Sequence, residues 1–293
     1  MKISRRDFLK LSGVGIGTAA AIGFLPGAMV MAATRDSLLK NEGEETGKAA
    51  LYDSTLCIEC RLCELACKQW NKLPKETTFT NIYATEVEDN GDLRRVLAKH
   101  QCLHCLEPAC VEICIVGALE KTPDGPVVYD DRKCIGCRYC MLACPFGVPT
   151  FEWDKPNPLI RKCTFCTDRL AADSEPACVG VCPTGALKFG ERDELIAEAR
   201  ERIAAEPDKY VDHIYGEKEN GGTSWLYLSP TPFEKLGFPV LGSEPVVVNA
   251  RRAMGAVPPA IIAVAATMTG FYWLTRRRDK VKVQGKDKEE VTK

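Results

Sequence analysis

The distribution of cysteine constrains this chain more than any other feature of its sequence. Sixteen cysteines occur among 293 residues, whereas there are only three histidines. The cysteines are not scattered, because all of them fall between Cys57 and Cys182, in four groups of four. Any metal chemistry in this chain must therefore depend mainly on thiolates.

The first and third groups share the spacing C-x2-C-x2-C-x3-C. Three thiolates at two-residue gaps let a short loop surround one face of a cubane cluster, and the fourth ligates the other cluster of a pair. Pro145 follows the third group, as in the bacterial ferredoxin run, whereas Lys68 follows the first. The members are Cys57, Cys60, Cys63 and Cys67 in the first group and Cys134, Cys137, Cys140 and Cys144 in the third.

The second and fourth groups are stretched between their second and third cysteines. Both keep an initial C-x2-C pair and a final C-x3-C pair, so three-plus-one ligation remains possible. Sixteen thiolates make four complete sets of four, with none left over. The members are Cys102, Cys105, Cys110 and Cys114 in the second group and Cys163, Cys166, Cys178 and Cys182 in the fourth.

Two cysteine-bearing phrases occur twice. Residues 107–119 (EPACVEICIVGAL) and 175–187 (EPACVGVCPTGAL) are identical at nine of thirteen positions. Residues 57–67 (CIECRLCELAC) similarly match residues 134–144 (CIGCRYCMLAC). Internal repetition at this scale indicates a duplicated unit, with eight cysteines in each copy.

Other uses of so many cysteines compete with this interpretation. Structural zinc accepts four thiolates but typically uses two separated C-x2-C pairs, which the triple spacing does not match. Disulfides suit an exported protein, but tightly spaced triplets form a poor disulfide framework. A zinc- or disulfide-stapled, membrane-anchored interaction module therefore stands as the alternative, and an intrinsically catalytic reductase as a further one.

Both ends of the chain carry targeting features. The twin-arginine pair Arg5-Arg6 precedes an apolar, Gly/Ala-rich run, which predicts a twin-arginine signal peptide over residues 1–33. That route exports folded proteins, as a cluster-loaded domain requires. At the other end, residues 256–274 are uncharged and mostly apolar, with Pro258 and Pro259 expected in the first helical turn. Three arginines follow at 276–278 and predict a cytoplasmic C-terminus.

The remaining sequence predicts a mixed α+β organisation. Asn90-Gly91 and Asp124-Gly125 predict hairpin turns. We expect the following segments: a linker at 34–50, the cluster domain at 51–190, a helical and irregular extension at 191–253 with an amphipathic helix at 193–205 and a strand at 224–228, a transmembrane helix at 254–275, and a basic, polar tail at 276–293.

The arrangement resembles the four-cluster ferredoxin-type subunits of membrane-bound oxidoreductases. It is most similar to the hydrogenase-2 iron–sulfur subunit (HybA type) and to the beta subunit of respiratory formate dehydrogenase. The likeness rests on LYDSTLC at 51–57, on the four cysteine groups and on GEKENGGTSWLYLSPTPFEKLG at 216–237, followed by the C-terminal apolar segment. The chain's own twin-arginine pair favours the hydrogenase branch. The resemblance implies an α+β fold of duplicated two-cluster ferredoxin-like lobes with β-hairpin insertions, plus one C-terminal transmembrane helix.

The resemblance also implies a nested pairing of cysteines, which spacing alone does not show. The outer groups would form one lobe and the inner groups the other. The four implied sets are set one, Cys57, Cys60, Cys63 and Cys182; set two, Cys67, Cys163, Cys166 and Cys178; set three, Cys102, Cys105, Cys110 and Cys144; and set four, Cys114, Cys134, Cys137 and Cys140.

The family implies an electron-transfer subunit with four [4Fe–4S] clusters and no catalytic residues. It would connect a periplasmic catalytic subunit of a hydrogenase or formate dehydrogenase with an integral membrane quinone-reactive or cytochrome b-type subunit, in anaerobic respiration. The sequence itself shows no Gly-rich phosphate loop and too few histidines for a hydrolase triad. Its net charge of −1 gives no basic field for nucleic acid.

Several side chains lie beside the cysteines in sequence. Cations there are candidates for raising cluster potentials, although most cations beside a loop are simply solvated. His104 is expected to pack or hydrogen-bond rather than to ligate, and Trp70 and Trp153 are expected to be packing residues. The cationic candidates are Lys68, His104, Lys133, Arg138 and Lys162.

Overall fold

The computed structural model describes residues 47–89, 91–153, 155 and 158–290, and side chains as far as residue 278. The predicted signal peptide and most of the predicted linker lie outside the described residues. Short helices and strands alternate along the rest. In chain order they are β1 (Lys48–Asp53), α1 (Leu62–Trp70), β2 (Thr80–Asp89), β3 (Asp92–Gln101), α2 (Ala109–Glu112), β4 (Leu119–Lys121), β5 (Val127–Tyr129), α3 (Tyr139–Ala143), β6 (Thr150–Phe151), β7 (Ile160–Arg161), α4 (Thr167–Leu170), α5 (Ala177–Gly180), β8 (Leu187–Glu191), α6 (Arg192–Ala205), β9 (Trp225–Leu228) and α7 (Val247–Glu290).

A three-stranded sheet in the order β8-β1-β9 forms the centre of the fold. Strand β1 pairs antiparallel with β8 and parallel with β9. Ala49 and Ala50 are fully buried there, and the Ala50 N–H donates to the Ser224 carbonyl at 2.9 Å. Strand β1 therefore begins at Lys48, inside the segment expected to be a linker. Its small alanine side chains fit between the two neighbouring strands.

Strand β9 shows that the segment expected to be irregular supplies part of the core. All four of its residues are buried, and Leu226 and Leu228 are fully inaccessible. An apolar run of this kind is typical of a strand that is covered on both faces. The predicted strand at 224–228 is confirmed with one residue fewer, and it lies in the central sheet although the surrounding segment was expected to be irregular.

Both predicted hairpins are present. The β2–β3 ladder runs from Thr80 opposite Gln101 to Asp89 opposite Asp92, and Gly91 in the turn has φ of 88°. The shorter β4–β5 hairpin turns through Gly125, whose φ is 110°. Glycine adopts these positive φ values without the steric cost that a Cβ would add.

Helix α6 packs its apolar side against the central sheet. Leu195, Ile196 and Ala199 are buried in one cluster with Leu51 and Leu226, as the helical spacing predicts. Helix α6 also fixes the LYDSTLC segment, because Asp53 is buried and accepts hydrogen bonds from the neighbouring groups. These donors are Arg202 Nη1 at 2.7 Å, the Tyr210 hydroxyl at 2.9 Å and the Thr55 hydroxyl at 2.6 Å.

Helix α7 is longer than predicted, extending from Val247 to Glu290. By length and composition its segment Val247–Arg278 is a candidate membrane span. Pro258 and Pro259 lie inside the helix and not in its first turn, because the helix begins some ten residues before the uncharged segment. The polar tail expected after residue 275 continues the helix, and the Thr275 hydroxyl donates to the Phe271 carbonyl at 3.0 Å.

Candidate iron–sulfur centres

The cysteine loops turn sharply because residues between the cysteines adopt left-handed backbone conformations. Glu59 and Arg61 have φ of 58° and 57°, and Gly136 and Arg138 at the same places in the third group have 69° and 65°. Helices α1 and α3 begin directly after the two arginines. Non-glycine residues held at positive φ are typical of functional loops. The first and third groups therefore share one backbone shape.

The members of set one come together around a narrow cavity. Three of its cysteines lie in the first loop and at the start of α1, and Cys182 reaches the same cavity from the segment after α5. Tyr52, Ile82 and Leu187 are among the other residues of the lining. Three thiols of one loop and a fourth from more than 100 residues further along the chain thus face one space.

The members of set two are mutual neighbours in the core. Burial raises the pKa of Cys67 to about 12, and Cys178 and Cys166 contribute to the rise as neighbouring thiols. The pKa of Cys163 is raised well above its usual value by burial and then by neighbouring thiols, of which Cys67 is the first. Cys67 of the first group is therefore a neighbour of cysteines of the fourth group in the core.

Set three is assembled from the second and third groups. Burial raises the pKa of Cys105, and Cys102, Cys144 and Cys110 act on it as neighbouring thiols, in that order. The pKa of Cys110 is raised to about 12 by burial and by the same neighbours, Cys102 and Cys144. The four members of the set therefore lie in one electrostatic neighbourhood.

Set four lies around helix α3. Burial raises the pKa of Cys140 to about 11, and Cys134 and Cys137 add to the rise. Cys114 and Cys134 pack against the small apolar cluster that contains Cys140. The Ala118 N–H donates to Cys114 Sγ at 3.2 Å, which supplies one hydrogen bond to that sulfur.

The chemistry of this donor set fits a large thiolate-ligated group. All sixteen cysteines are free, so the disulfide alternative is not favoured. Among the described residues, no three His, Cys, Asp or Glu side chains converge on a point that a single ion could occupy. A zinc ion holds its thiolates at about 2.3 Å and would require such convergence. A cubane cluster spaces its ligands further apart, and bound iron would hold as thiolates the buried groups that are otherwise protonated.

Side chains that hydrogen-bond near the cysteines include groups that the sequence did not indicate. The buried Tyr52 phenol lies beside Cys57, and burial and then that thiol raise the pKa of Tyr52. The Tyr129 phenol has the same relation to Cys134. The Tyr52 hydroxyl donates its proton to the Leu97 carbonyl at 3.1 Å. The Tyr129 hydroxyl accepts from the Ile160 N–H, so its own proton remains for a hydrogen bond to sulfur, which is one way in which a protein sets a cluster potential. Both tyrosines stand five residues before their cysteine, a signal visible in the sequence.

The cationic candidates separate into buried and exposed residues. Lys162 is buried, contrary to the expectation of a solvated cation, and its ammonium donates to the Val127 and Cys163 carbonyls. His104 is fully buried, and its Nδ1 accepts from the Val127 N–H at 2.9 Å, so it packs and hydrogen-bonds as expected. Burial lowers the pKa of His104 well below its usual value. Lys68 is partly exposed, and Lys133 and Arg138 are exposed.

The two tryptophans, expected to be packing residues, pack at the surface. Trp70 and Trp153 are 44% and 60% exposed. Each stacks under an arginine, Arg169 at 4.6 Å and Arg138 at 4.3 Å from the ring centre. Stacked guanidinium groups of this kind stabilise an exposed indole, so these residues form surface pairs.

Comparisons with known proteins agree with this architecture. Residues 94–192 match the family model of the 4Fe-4S dicluster domain. The chain is 33% identical to the hydrogenase-2 operon protein HybA of Escherichia coli O157:H7, over 95% of this chain and 96% of that protein. It is 40% identical to a protein of Nitratidesulfovibrio vulgaris, over 95% of this chain and 79% of the relative.

A third relative covers a shorter part of the chain. The nitrate-inducible formate dehydrogenase iron-sulfur subunit of Escherichia coli strain K12 is 34% identical over 61% of this chain and 67% of that protein. The chain therefore belongs to the family of ferredoxin-type iron–sulfur subunits that includes HybA and the formate dehydrogenase iron–sulfur subunits.

Proposed function

We propose that this chain is a non-catalytic electron-transfer subunit that holds four [4Fe–4S] clusters, one in each cysteine set. The observation that carries the proposal is that sixteen free cysteines occur in four groups of four along the chain and that thiols from different groups meet in the fold, as Cys182 does with the first group. Bound clusters of this type accept and release single electrons. The chain's own residues hold the clusters, exclude water from the inner two sets and set the local electrostatics.

The order of the sets along an electron path follows from the elements that they share. Cys63 and Cys67 lie on successive turns of α1, which relates set one to set two. Cys140 at the start of α3 and Cys144 directly after the helix relate set four to set three. Between these pairs, Cys102 acts on Cys163 as a neighbouring thiol. We therefore order the sets as one, two, three and four.

Exposure supports placing sets one and four at the two ends. Cys60 in set one and Cys137 in set four are exposed, whereas no cysteine of set two or set three is. An electron can leave or enter most readily where a cluster approaches the surface. Two two-cluster lobes, one from the outer and one from the inner groups, would give this linear order.

The attachment of α7 supports an orientation toward the membrane. Arg251 near the start of α7 forms ion pairs with Glu107 and Glu112, which flank Cys110 in and around α2. The candidate membrane span is thus fastened beside sets three and four. We assign set four to the membrane subunit and set one to the catalytic subunit.

The proposed partners and compartment follow from the relatives and from the two ends of the sequence. The catalytic partner is a hydrogenase or a formate dehydrogenase, with the hydrogenase favoured by the chain's own twin-arginine pair. The membrane partner is a quinone-reactive or cytochrome b-type subunit. The twin-arginine pair and the arginines at 276–278 support a single-pass subunit with its cluster domain in the periplasm and its C-terminus in the cytoplasm.

Metal analysis of the intact protein tests the cofactor proposal. Full-length protein prepared anaerobically from membranes in mild detergent should contain about 16 iron atoms per chain, with matching acid-labile sulfide. Zinc in place of iron, or colourless protein whose thiols are oxidised to one another, would overturn the proposal. Identification of the large subunit that co-purifies would distinguish the two candidate catalytic partners.

A further inference from the structure

Lys99 is a buried cation near the cysteines of the first group. Its side chain is on β3 and is 1% exposed. The ammonium donates to Thr80 Oγ1 at 2.7 Å and to Gln101 Oε1, and it lies 4.4 Å from the centre of the Trp225 indole ring. All three neighbours are uncharged, and among the described residues no carboxylate lies within ion-pair distance of this ammonium. A buried charge is costly unless an opposite charge compensates it.

The register of the β2–β3 hairpin shows which way Lys99 faces. Lys99 stands directly opposite Ile82, and residues directly opposite one another in an antiparallel pair share a face. Ile82 lines the cavity of set one together with all four of its cysteines. The Ile82 N–H also donates to Glu64 Oε1 at 2.5 Å, which holds α1 against the same hairpin. Lys99 therefore lies on the side of β3 that faces α1.

Helix α1 presents one cysteine of each outer-lobe set to this side. Cys63 belongs to set one and Cys67 to set two, and both are buried. Cys63 packs in the same core cluster as Ile82 and Trp225, the residues beside Lys99. Cys67 lies four residues further along α1 and therefore on the same face of that helix. A single ammonium is thus placed beside the helix face that carries a cysteine of each set.

Two further lysines, the partly buried Lys121 and the buried Lys162, are held differently. The ammonium groups of Lys121 and Lys162 donate to backbone carbonyls, namely those of His104 and Gly125 and those of Val127 and Cys163. These lysines satisfy backbone acceptors in loops. The ammonium of Lys99 meets only two side-chain oxygens and an indole face, so a structural role as a backbone partner does not explain it.

We propose that Lys99 is the counter-cation of the clusters in sets one and two and raises the reduction potential of both. This inference rests on the proposed function. A [4Fe–4S] cluster ligated by four thiolates is anionic, and reduction adds another negative charge. A fixed cation in a low-dielectric core stabilises the reduced form more than the oxidised form. Lys99 thus acts on the reduction potentials through the electric field of its ammonium group and not as a cluster ligand.

Redox titration of the intact complex, followed by electron paramagnetic resonance, tests this role. Lys99→Met removes the charge and retains much of the side-chain volume, and Lys99→Arg retains the charge. Lys68→Met is the matched control, because Lys68 adjoins Cys67 in sequence but is partly exposed and bonds to the Lys75 carbonyl. Iron content, measured first in every variant, shows whether the clusters are present and so tests the proposed function separately.

Lys99→Met should lower the reduction equilibrium constant of the two clusters of sets one and two at least tenfold, about 59 mV for one electron. The clusters of sets three and four should keep their potentials, and so should all four clusters in Lys68→Met and Lys99→Arg. Unchanged potentials in an iron-replete Lys99→Met protein would refute the inference. If Lys99→Met does not assemble, Lys99→Arg still decides, because a fall in potential with the charge retained would refute it.

Discussion

Tyr52 and Leu187 face each other across β1 and β8. Tyr129 and Leu119 form the same pair across β5 and β4. Each leucine ends one copy of the repeated Gly-Ala-Leu phrase, and each tyrosine stands five residues before the first cysteine of a C-x2-C-x2-C loop. The ladder therefore joins the end of one cysteine group to the start of another in both halves of the protein.

The residue after each tyrosine repeats the same contacts. The Asp53 N–H donates to the Ala186 carbonyl and the Asp130 N–H to the Ala118 carbonyl, both at 2.8 Å. Asp53 Oδ1 and Asp130 Oδ1 then each accept from the backbone N–H two residues later, at 2.9 Å and 3.1 Å. This repetition supports the proposal of two duplicated lobes, each closed by a crossed cysteine.

The first prediction concerns crossed ligation in the outer lobe. Cys182→Ser should alter the signal of the cluster held by Cys57, Cys60 and Cys63, because Cys182 lines that cavity. Cys178→Ser is the matched control and should alter the cluster of set two instead. Electron paramagnetic resonance of the reduced proteins distinguishes the two patterns. The reverse assignment would refute the crossed arrangement.

The second prediction concerns removal of iron. Burial raises the thiol pKa of Cys63 to about 11 and of Cys110 to about 12, compared with about 8.5 in an unfolded chain. Without metal the folded state retains protons that the unfolded state releases. The resulting stability is fully present below about pH 8 and is lost as the pH rises toward 11 to 12, by roughly 1.4 kcal/mol per unit of pKa shift for each thiol.

Urea unfolding of the metal-free and iron-loaded proteins between about pH 7 and pH 10.5, under anaerobic conditions, checks this slope. The midpoint for the metal-free chain should fall as the pH rises, whereas bound iron holds the thiolates and should flatten the dependence. A metal-free chain that became more stable at alkaline pH would contradict the prediction.

Local signals predicted more of this structure than long-range ones. Gly91 and Gly125 mark hairpin turns because such turns require a positive φ, which glycine adopts readily. The amphipathic helix at 193–205 followed from its apolar spacing, and the structure adds only Arg192 to it. The clustering of cysteines followed from spacing within each group, but the partners of Cys182 and Cys67 required the family resemblance.

Pairings between distant segments had no local signal. The parallel contact of β1 with β9 joins residues about 175 positions apart, such as Ala50 and Trp225. Neither segment contains a local signal that identifies the strand with which it pairs. The strand at 224–228 was therefore predicted without its central place in the sheet. The burial of Lys99 and Lys162 was hidden for a related reason. A lysine is predicted from sequence to be exposed to solvent, because lysines are seldom fully buried. Only the folded structure shows the groups that surround a buried one.

The third prediction concerns the base of α7. Arg251→Ala removes the ion pairs with Glu107 and Glu112, whose side chains are about two-fifths exposed. Solvent screening limits each pair to about 0.2–1 kcal/mol, so we expect a modest loss of stability, on the order of 1 kcal/mol. Arg252→Ala is the matched control, because Arg252 pairs only with the nearby, exposed Glu244.

The functional consequence of Arg251→Ala should exceed the loss of stability. Limited proteolysis of the detergent-solubilised protein should cleave between β9 and α7 more readily in Arg251→Ala than in Arg252→Ala, because α7 is no longer fastened to α2. Electron transfer to the membrane partner should slow in parallel. Equal proteolysis of the two variants would mean that these ion pairs do not hold the helix.

The last prediction concerns Gly216, which opens the GEKENGG segment. Its φ is 95°, and a Cβ there would lie 2.2 Å from the Trp225 carbonyl oxygen of β9. Its own carbonyl accepts from Arg192 Nη2 at 3.1 Å, so the backbone cannot move without breaking that contact. Gly216→Ala should destabilise the protein by about 3 kcal/mol or more, measured by urea unfolding of the iron-loaded form. Gly242→Ala is the control, because no atom lies within 4 Å of its Cβ position and its stability should change by less than about 1 kcal/mol. Similar midpoints for the two variants would show that the close approach of residue 216 to β9 does not limit this part of the fold.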